Sequence, residues 1–384
     1  MDPYIDPDRL DPAHPLTRQK RENLLRGDRE HRARAIEVAA LPVKLTLQTT
    51  DRCNLRCPHC QIPPDQKKPS MPEAVLDRVV DELFPTLIEL HPTNLGEPFL
   101  WEHFQRLCEE MHRFGVLLDL TTNGTLLDDR RVRWVAPIAR DVKVSFDGAT
   151  PATFERLRRG AQFDAVCANV RRLTDATAPG TVALQMTLMR SNAHELPQLV
   201  RLAHALGVSR VKAYHLFSFS PDLDDESIAG ETERWPPILD AALREAADLG
   251  VSLQCAEPAG TLADVEATAC HLPWHETWID LDGAVLPCHS HGGDTAGNLL
   301  EAPFRDAWNG PLYRRIRAGF AQDRPTWHCD GCGMNCQKPG EHAPVPYDPE
   351  GFLSPSGRAG RAASPVRWSG RMRQFDLTGR RRGR

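Results

Sequence analysis

From Val43 to His215 the chain switches repeatedly between two hydrophobic periods. Val43-Lys44-Leu45-Thr46-Leu47-Gln48-Thr49 alternates apolar and polar positions, which predicts a β-strand. Residues 71–84 repeat at helical spacing, with Ser70 expected as the N-cap before Pro72. Further strands are predicted at 88–94, 116–122, 142–148, 181–189 and 210–215, with helices over 101–114, after Asn123-Gly124 and over 193–206. Six strands alternating with helices predict an α/β fold with a parallel sheet and right-handed crossovers. Periodicity alone leaves open whether that sheet is doubly wound or a partial barrel.

The character changes beyond a helix predicted near 231–249. Trp278-Ile279-Asp280-Leu281-Asp282-Gly283-Ala284-Val285-Leu286-Pro287 reads as a β-hairpin with Asp-Gly at its turn. A helix follows at about 304–321. At the other end, residues 16–40 form a charged helical stretch, either a cap on the main domain or a solvated helix. Residues 343–384 are rich in Pro, Gly, Ser and Arg, with nine arginines, no lysine and one acidic residue, Asp376, from Gly351 onward. They are expected to be a solubilising end without fixed structure. The expected organisation is 1–40 N-terminal extension, 41–255 main α/β domain, 256–340 small C-terminal α+β domain and 341–384 tail.

Composition narrows the function classes. A net charge of -5 gives no global signal for nucleic acid, and no apolar run approaches membrane-spanning length. The N-terminus Met1-Asp2-Pro3-Tyr4-Ile5-Asp6-Pro7 is too acidic and polar for a signal peptide. Eleven cysteines, several in C-x2-C and C-x3-C spacings, then read as metal ligands in a reducing cytoplasm. Cys53, Cys57 and Cys60 stand at C-x3-C-x2-C directly after the first strand. Three thiolates on one loop can hold three corners of a cubane cluster and leave the fourth iron open. A zinc knuckle completed by His59 or a remote ligand is the alternative. Cys270, Cys288, Cys329 and Cys332 make a four-ligand set suited to a closed cluster or to a zinc ribbon. Cys108 and Cys167 fall in predicted helices as buried thiols, and Cys255 is a spare ligand candidate.

The run Thr49-Thr50-Asp51-Arg52-Cys53-Asn54-Leu55-Arg56-Cys57-Pro58-His59-Cys60, with the strand before it, resembles the signature of radical S-adenosylmethionine enzymes. The resemblance extends from about Val43 to Cys336. It implies a partial (β/α)6 TIM-like barrel with its chemistry at the C-terminal ends of the strands. It implies a [4Fe–4S] cluster whose open iron chelates S-adenosylmethionine, and reductive cleavage of that cofactor to a 5′-deoxyadenosyl radical that abstracts a substrate hydrogen. Gly96-Glu97-Pro98 is similar to the family loop that binds the methionine amino group, although Leu95 stands where many relatives have a second glycine. Thr122-Asn123-Gly124 and Ser145-Phe146-Asp147-Gly148 resemble the strand ends near the ribose and substrate. Arg158, with Arg159 as its rival, matches the arginine used on the methionine carboxylate. Residues 270–332 look like a twitch domain, the short form of the SPASM extension, holding an auxiliary [4Fe–4S] cluster. An electron donor such as flavodoxin or ferredoxin is the implied partner.

A second, closed cluster offers an acceptor for the electron of a substrate radical. The cysteine layout resembles that of a twitch-type aminocyclitol dehydrogenase, so the leading expectation is oxidation of a secondary alcohol on a sugar or aminocyclitol in antibiotic biosynthesis. Arg190, ending the fifth strand, is the candidate catalytic residue at the substrate hydroxyl; Tyr214 and His215 end the sixth. Dehydration or epimerisation of a similar sugar shares the same start. Modification of a ribosomally made peptide is an alternative enzyme reading, and a non-catalytic zinc scaffold is the alternative of another class.

Overall fold

The computed structural model describes residues 17–62, 69–216, 221–228, 233–255, 270–288, 294–324 and Cys329. The expected Arg-rich tail, Cys332 and Cys336 lie outside them. Six strands and their helices run in the expected order, followed by a seventh strand: α1 (Arg18–Arg32), β1 (Lys44–Leu47), α2 (Glu73–Glu82), β2 (Glu89–His91), α3 (Phe104–Phe114), β3 (Leu117–Thr122), α4 (Asp129–Val135) and β4 (Ala139–Ser145). Then come α5 (Pro151–Leu157), α6 (Phe163–Ala176), β5 (Val182–Leu188), α7 (Leu196–Ala205), β6 (Arg210–His215), α8 (Trp235–Leu249) and β7 (Ser252–Cys255). All neighbouring pairs from β1 to β7 are parallel. This is the partial barrel expected from the family resemblance, with β7 as a strand the sequence reading did not anticipate.

The hydrophobic alternation explains the outer layer. Leu45, Leu47, Leu90, Leu118, Leu120, Val142, Val144, Leu184, Met186 and Val211 are fully buried in the core formed with the helices. Val75, Leu76 and Val79 of α2 and Phe104, Leu107 and Met111 of α3 supply the facing stripes. Ser70 is not the cap of α2. Its hydroxyl meets Thr50 Oγ1 at 2.7 Å, in an isolated bridge between Thr50 and Ser70, and Pro72 takes the N-cap position.

The opposite face of the strands carries charge. Lys44 on β1 pairs with Glu89 on β2 at 2.9 Å, and Arg140 on β4 reaches the same carboxylate at 3.1 Å. Asp119 on β3 bonds Lys143 on β4 and lies 3.3 Å from His91 Nδ1. Asp141 on β4 receives Arg210 and Lys212 from β6, the latter at 2.8 Å, across the small Ala183 of β5. Burial raises the Asp119 and Asp141 carboxyls, but Lys143 and the other cations outweigh it and hold both below the usual carboxylate range. Barrel interiors of this type are usually packed with branched apolar residues; here the lower interior is an ion-pair ladder.

The C-terminal segment continues the same sheet. After α9 (Leu272–His275), strand β8 (Glu276–Ile279) lies parallel to β1 on the side away from β2, and β9 (Ala284–Leu286) and β10 (Gly297–Asn298) follow antiparallel. The order is β10-β9-β8-β1-β2-β3-β4-β5-β6-β7. The sheet therefore runs across the boundary expected at 255/256. The hairpin turns at Asp282-Gly283, with Gly283 at φ 87°. The helix expected over 304–321 is two helices, α10 (Phe304–Trp308) and α11 (Pro311–Ala321), because Gly310-Pro311 breaks it.

Within the N-terminal extension, α1 is a packed element rather than a solvated helix. Lys20, Asn23, Leu24 and Gly27 of α1 are buried, and Lys20 Nζ donates to Gly115 O at the end of α3 at 3.0 Å. The extended residues after α1 are strapped to the C-terminal helices. Trp308 Nε1 donates to Ala40 O at 2.9 Å, and Asn309 bonds both the N–H and the C=O of Val38 at 3.0 and 2.8 Å. The buried Arg317 donates to Ile36 O, Pro273 O and Trp308 O.

Candidate active site

The cysteine loop leaves β1 at the C-terminal end of the barrel and is tied down on three sides. Asp51 N–H donates to Pro69 O at 2.9 Å, Glu97 N–H to Arg52 O at 2.8 Å, and Arg56 N–H to Arg159 O at 2.9 Å. Leu55 is buried in the core beneath the loop. Cys53 and Cys57 are half-buried and Cys60 is exposed. Burial raises both the Cys53 and the Cys57 thiols, and each also feels Cys60.

Gly96 sits at φ 77°, and a Cβ there would lie 2.3 Å from Thr50 O and 2.9 Å from Arg52 O. Only glycine lets the two loops touch. The Glu97 side chain is fully buried and faces the end of β3, accepting from Thr122 Oγ1 at 2.8 Å and from Asn123 N at 2.7 Å. Burial pushes its carboxyl up to about 7 despite those hydrogen bonds. Asn123 in turn donates to Asn54 Oδ1 at 2.9 Å and lies 3.8 Å from Cys53 Sγ. Gly96, Glu97, Thr122 and Asn123 thus form one continuous contact set against the cysteine loop. Ser145 is buried at the end of β4, level with Gln185 of β5 and Lys212 of β6.

Of the rival arginines, Arg158 turns inward and Arg159 is exposed. Arg158 Nε lies 2.5 Å from Asp147 Oδ2, and its Nη1 is 3.9 Å from Cys57 Sγ. Asp147, fully buried, also faces His59 Nε2 at 3.1 Å and accepts from Thr187 N at 2.7 Å. Burial raises this carboxyl, but Arg158 and His59 overcome it and hold it at about 2. Asp147 and the orientation of His59 toward it were missed from sequence. Strand-end placement in Ser145-Phe146-Asp147-Gly148 was the available signal; the pairing was not.

Arg190 is exposed just beyond β5, and its backbone N–H donates to Glu226 O at 2.8 Å. Tyr214 is also exposed, whereas the His215 ring packs edge-on against buried Trp235 at 5.6 Å. The structure thus brings together Cys53, Cys57, Cys60, Glu97, Asn123 and Arg158, and leaves Arg190 on the rim. Cys108 and Cys167 are buried helix thiols, as expected.

Cys270, Cys288 and Cys329 are half-buried, with Cys270 and Cys329 packed on the core. Leu286 pairs with Trp278, so Cys288 follows β9 toward the start of β8, where Cys270 also enters. β8 runs parallel to β1, so this end is opposite to the one bearing the Cys53 loop.

Among the described residues no three His, Cys, Asp or Glu side chains already converge as a metal site. The fit to an iron–sulfur cluster rests on donor chemistry: three thiols on one anchored loop, close enough to perturb one another, with Arg158 beside one sulfur to offset negative charge. His59 lies beside the loop with Nε2 turned to Asp147 and a buried Nδ1 that has no hydrogen-bond partner.

Comparison with known proteins agrees with this geometry. The family model of the radical SAM superfamily matches residues 47–203, and that of the SPASM iron-sulfur cluster-binding domain matches residues 270–336. A PqqA peptide cyclase of Gluconobacter oxydans is 26% identical over 317 residues, covering 77% of this chain and 86% of the relative. A tungsten-containing aldehyde ferredoxin oxidoreductase cofactor-modifying protein of Pyrococcus furiosus is 24% identical over 299 residues, covering 71% and 82%. Streptococcus suis SuiB, solved with its precursor peptide SuiA, superposes with a TM-score of 0.58 at 14% identity, over 78% of this chain and 70% of that one. No helix among the described residues is long and apolar enough to cross a membrane.

Proposed function

Because the chain belongs to the radical S-adenosylmethionine superfamily and carries a C-terminal SPASM-type iron–sulfur domain, we propose that it modifies a ribosomally made peptide by abstracting a hydrogen atom from it. The cofactors are a [4Fe–4S] cluster, S-adenosylmethionine and an auxiliary [4Fe–4S] cluster. Cys53, Cys57 and Cys60 would hold the first cluster, and Cys270, Cys288, Cys329 and Cys332 the auxiliary one. When bound, the first cluster and S-adenosylmethionine supply a carbon-centred radical able to remove an unactivated hydrogen.

The chain's own residues supply the frame. Glu97 locks the end of β3 to the cysteine loop, so Asn123 and Thr122 keep their distance from Cys53. The segment at Gly96 lies against the loop backbone, where its carbonyl groups suit an ammonium. Arg158 places a guanidinium, the natural partner of a carboxylate, beside Cys57. Ser145 lines the interior above the ion-pair ladder. Arg190, exposed on the rim, is assigned to contact with the peptide rather than to a buried hydroxyl.

The observation that carries the peptide reading is the likeness to PqqA peptide cyclase across most of both chains. The fold shared with a SuiB–SuiA complex supports it. Sugar or aminocyclitol oxidation, expected from the cysteine layout, loses ground: the relatives above are a peptide cyclase and a cofactor-modifying protein.

The test starts with iron and sulfide content after anaerobic purification, for wild type and for Cys53→Ala/Cys57→Ala/Cys60→Ala. About eight irons per chain falling to about four are expected; zinc with little iron would refute the reading. Reconstituted protein with S-adenosylmethionine and a reductant is then given small precursor peptides and, in parallel, sugars and aminocyclitols. Mass change confined to a peptide supports the proposal, and turnover of a sugar alone overturns it. Arg190→Ala is expected to lower peptide turnover roughly tenfold or more with iron content unchanged.

A further inference from the structure

Asp147 is the node at which three elements meet the cysteine loop. Its Oδ1 accepts from Thr187 N–H on β5 at 2.7 Å, and its own carbonyl accepts from Asn192 Nδ2 at 3.0 Å. Its Oδ2 faces both Arg158 Nε at 2.5 Å and His59 Nε2 at 3.1 Å. The carboxylate is thus held from β5 while its free side grips two groups of the loop region. Arg158 ends α5 as its C-cap, and its guanidinium is planar. With the Nε edge fixed on Asp147, the Nη1 edge is directed at Cys57 Sγ, 3.9 Å away. His59 stands between Cys57 and Cys60, so the same carboxylate also fixes the loop between its last two sulfurs.

The result is an oriented pair of charges, with the cation nearest a cluster ligand and the anion behind it. In a buried setting such charges interact strongly with neighbouring charge. Hydrogen bonds and positive charge at the sulfurs of an iron–sulfur centre are among the factors that set its potential. We propose that Asp147 and Arg158 are positioning residues that set the reduction potential of the cluster on Cys53, Cys57 and Cys60, Arg158 raising it and Asp147 fixing Arg158 in place while tempering it. This rests on the cluster reading above and adds to it a role in electron entry. Arg158 is thereby more than a carboxylate ligand for the cofactor.

The test is a redox titration followed by electron paramagnetic resonance, in the absence of S-adenosylmethionine. The signal of interest is the one that changes when the cofactor is later added, which separates it from the auxiliary cluster. Arg158→Lys keeps the charge but lacks the fork that spans Asp147 and Cys57; its potential is expected to shift downward. Asp147→Asn removes the negative charge while keeping an amide oxygen as acceptor for Arg158, so its potential is expected to shift upward; a downward shift would overturn the tempering role. Opposite shifts are not what loss of a merely structural contact would produce. Asn at 147 leaves a buried arginine short of its partner, so if that variant does not fold, Arg158→Lys decides alone. Iron-loaded Arg158→Lys protein with the wild-type potential overturns the proposal and leaves the peptide reading intact. So does failure of both variants to take up iron where wild type does, which assigns the pair to assembly alone. Wild type without iron on the three cysteines overturns the cluster reading itself, and this inference with it.

Discussion

Gly96 shows how one residue without a side chain couples two loops. Its φ of 77° is in the left-handed region, and the space a Cβ would need is taken by Thr50 O and Arg52 O. Gly96→Ala combines backbone strain with a clash against backbone atoms that cannot move alone. A loss of about 2–4 kcal/mol in unfolding free energy is expected, with iron on the Cys53 loop reduced before the auxiliary iron. Chemical denaturation and metal analysis of the same sample check both. Gly96, Glu97, Thr122 and Asn123 were singled out because their motifs, at the ends of predicted strands, resemble loops of the radical S-adenosylmethionine family. Their actual partners were not. Glu97 looked like a cofactor residue from its motif, and only the fold shows its carboxylate committed to Thr122 and Asn123. Likewise, a sequence cannot reveal that Asp147 and Arg158 meet, because that depends on how α5 folds back over β4.

Among elements, α1 is the one whose place the sequence left open. Its basic, weakly amphipathic pattern suits a solvated helix, yet the buried Lys20 points at the end of α3. Burial lowers the Lys20 ammonium to about 8 from an unfolded value of 10.5. Below about pH 8 both states keep the proton and the cost of burying the charge is fully felt. Between about 8 and 10.5 the unfolded chain binds more protons, so stability rises with pH. The gain from this group is at most about 3 kcal/mol. Denaturant unfolding across that window is expected to show the rise in wild type and its absence in Lys20→Met. An equal slope in the variant would assign the rise to other groups. The strands themselves were predictable from apolar alternation, and six of the seven barrel strands were found that way. β7 escaped because Ser252-Leu253-Gln254-Cys255 is short and lies on a half-exposed edge. The ion-pair ladder escaped too: Asp119, Lys143 and Lys212 occupy the polar beats of alternating strands, which on one sequence look like solvent-facing positions.

At the scale of the whole molecule, the sheet, the N-terminal strap and the C-terminal helices form one interlocked body. β1 lies between β2 and β8, and the strap from Ile36 to Ala40 is held by α10 and α11. A chain ending after Cys255 would lack β8, expose one edge of β1 and leave Ala40, Val38 and Ile36 without their C-terminal partners. Such a truncation is expected to aggregate rather than behave as a smaller domain, checked by size-exclusion chromatography and light scattering. A monodisperse 1–255 fragment that binds about four irons would show instead that the barrel is self-sufficient.

The placement of β8 also bears on biosynthesis. A nascent chain emerges from its N-terminus, and β1 with the cysteines behind it appears long before β8 has been made. Throughout that interval the strand leading into the Cys53 loop has an unpaired side, and three thiols sit at its end. Protecting those thiols from oxidation and that edge from wrong pairing falls to whatever meets the chain during translation.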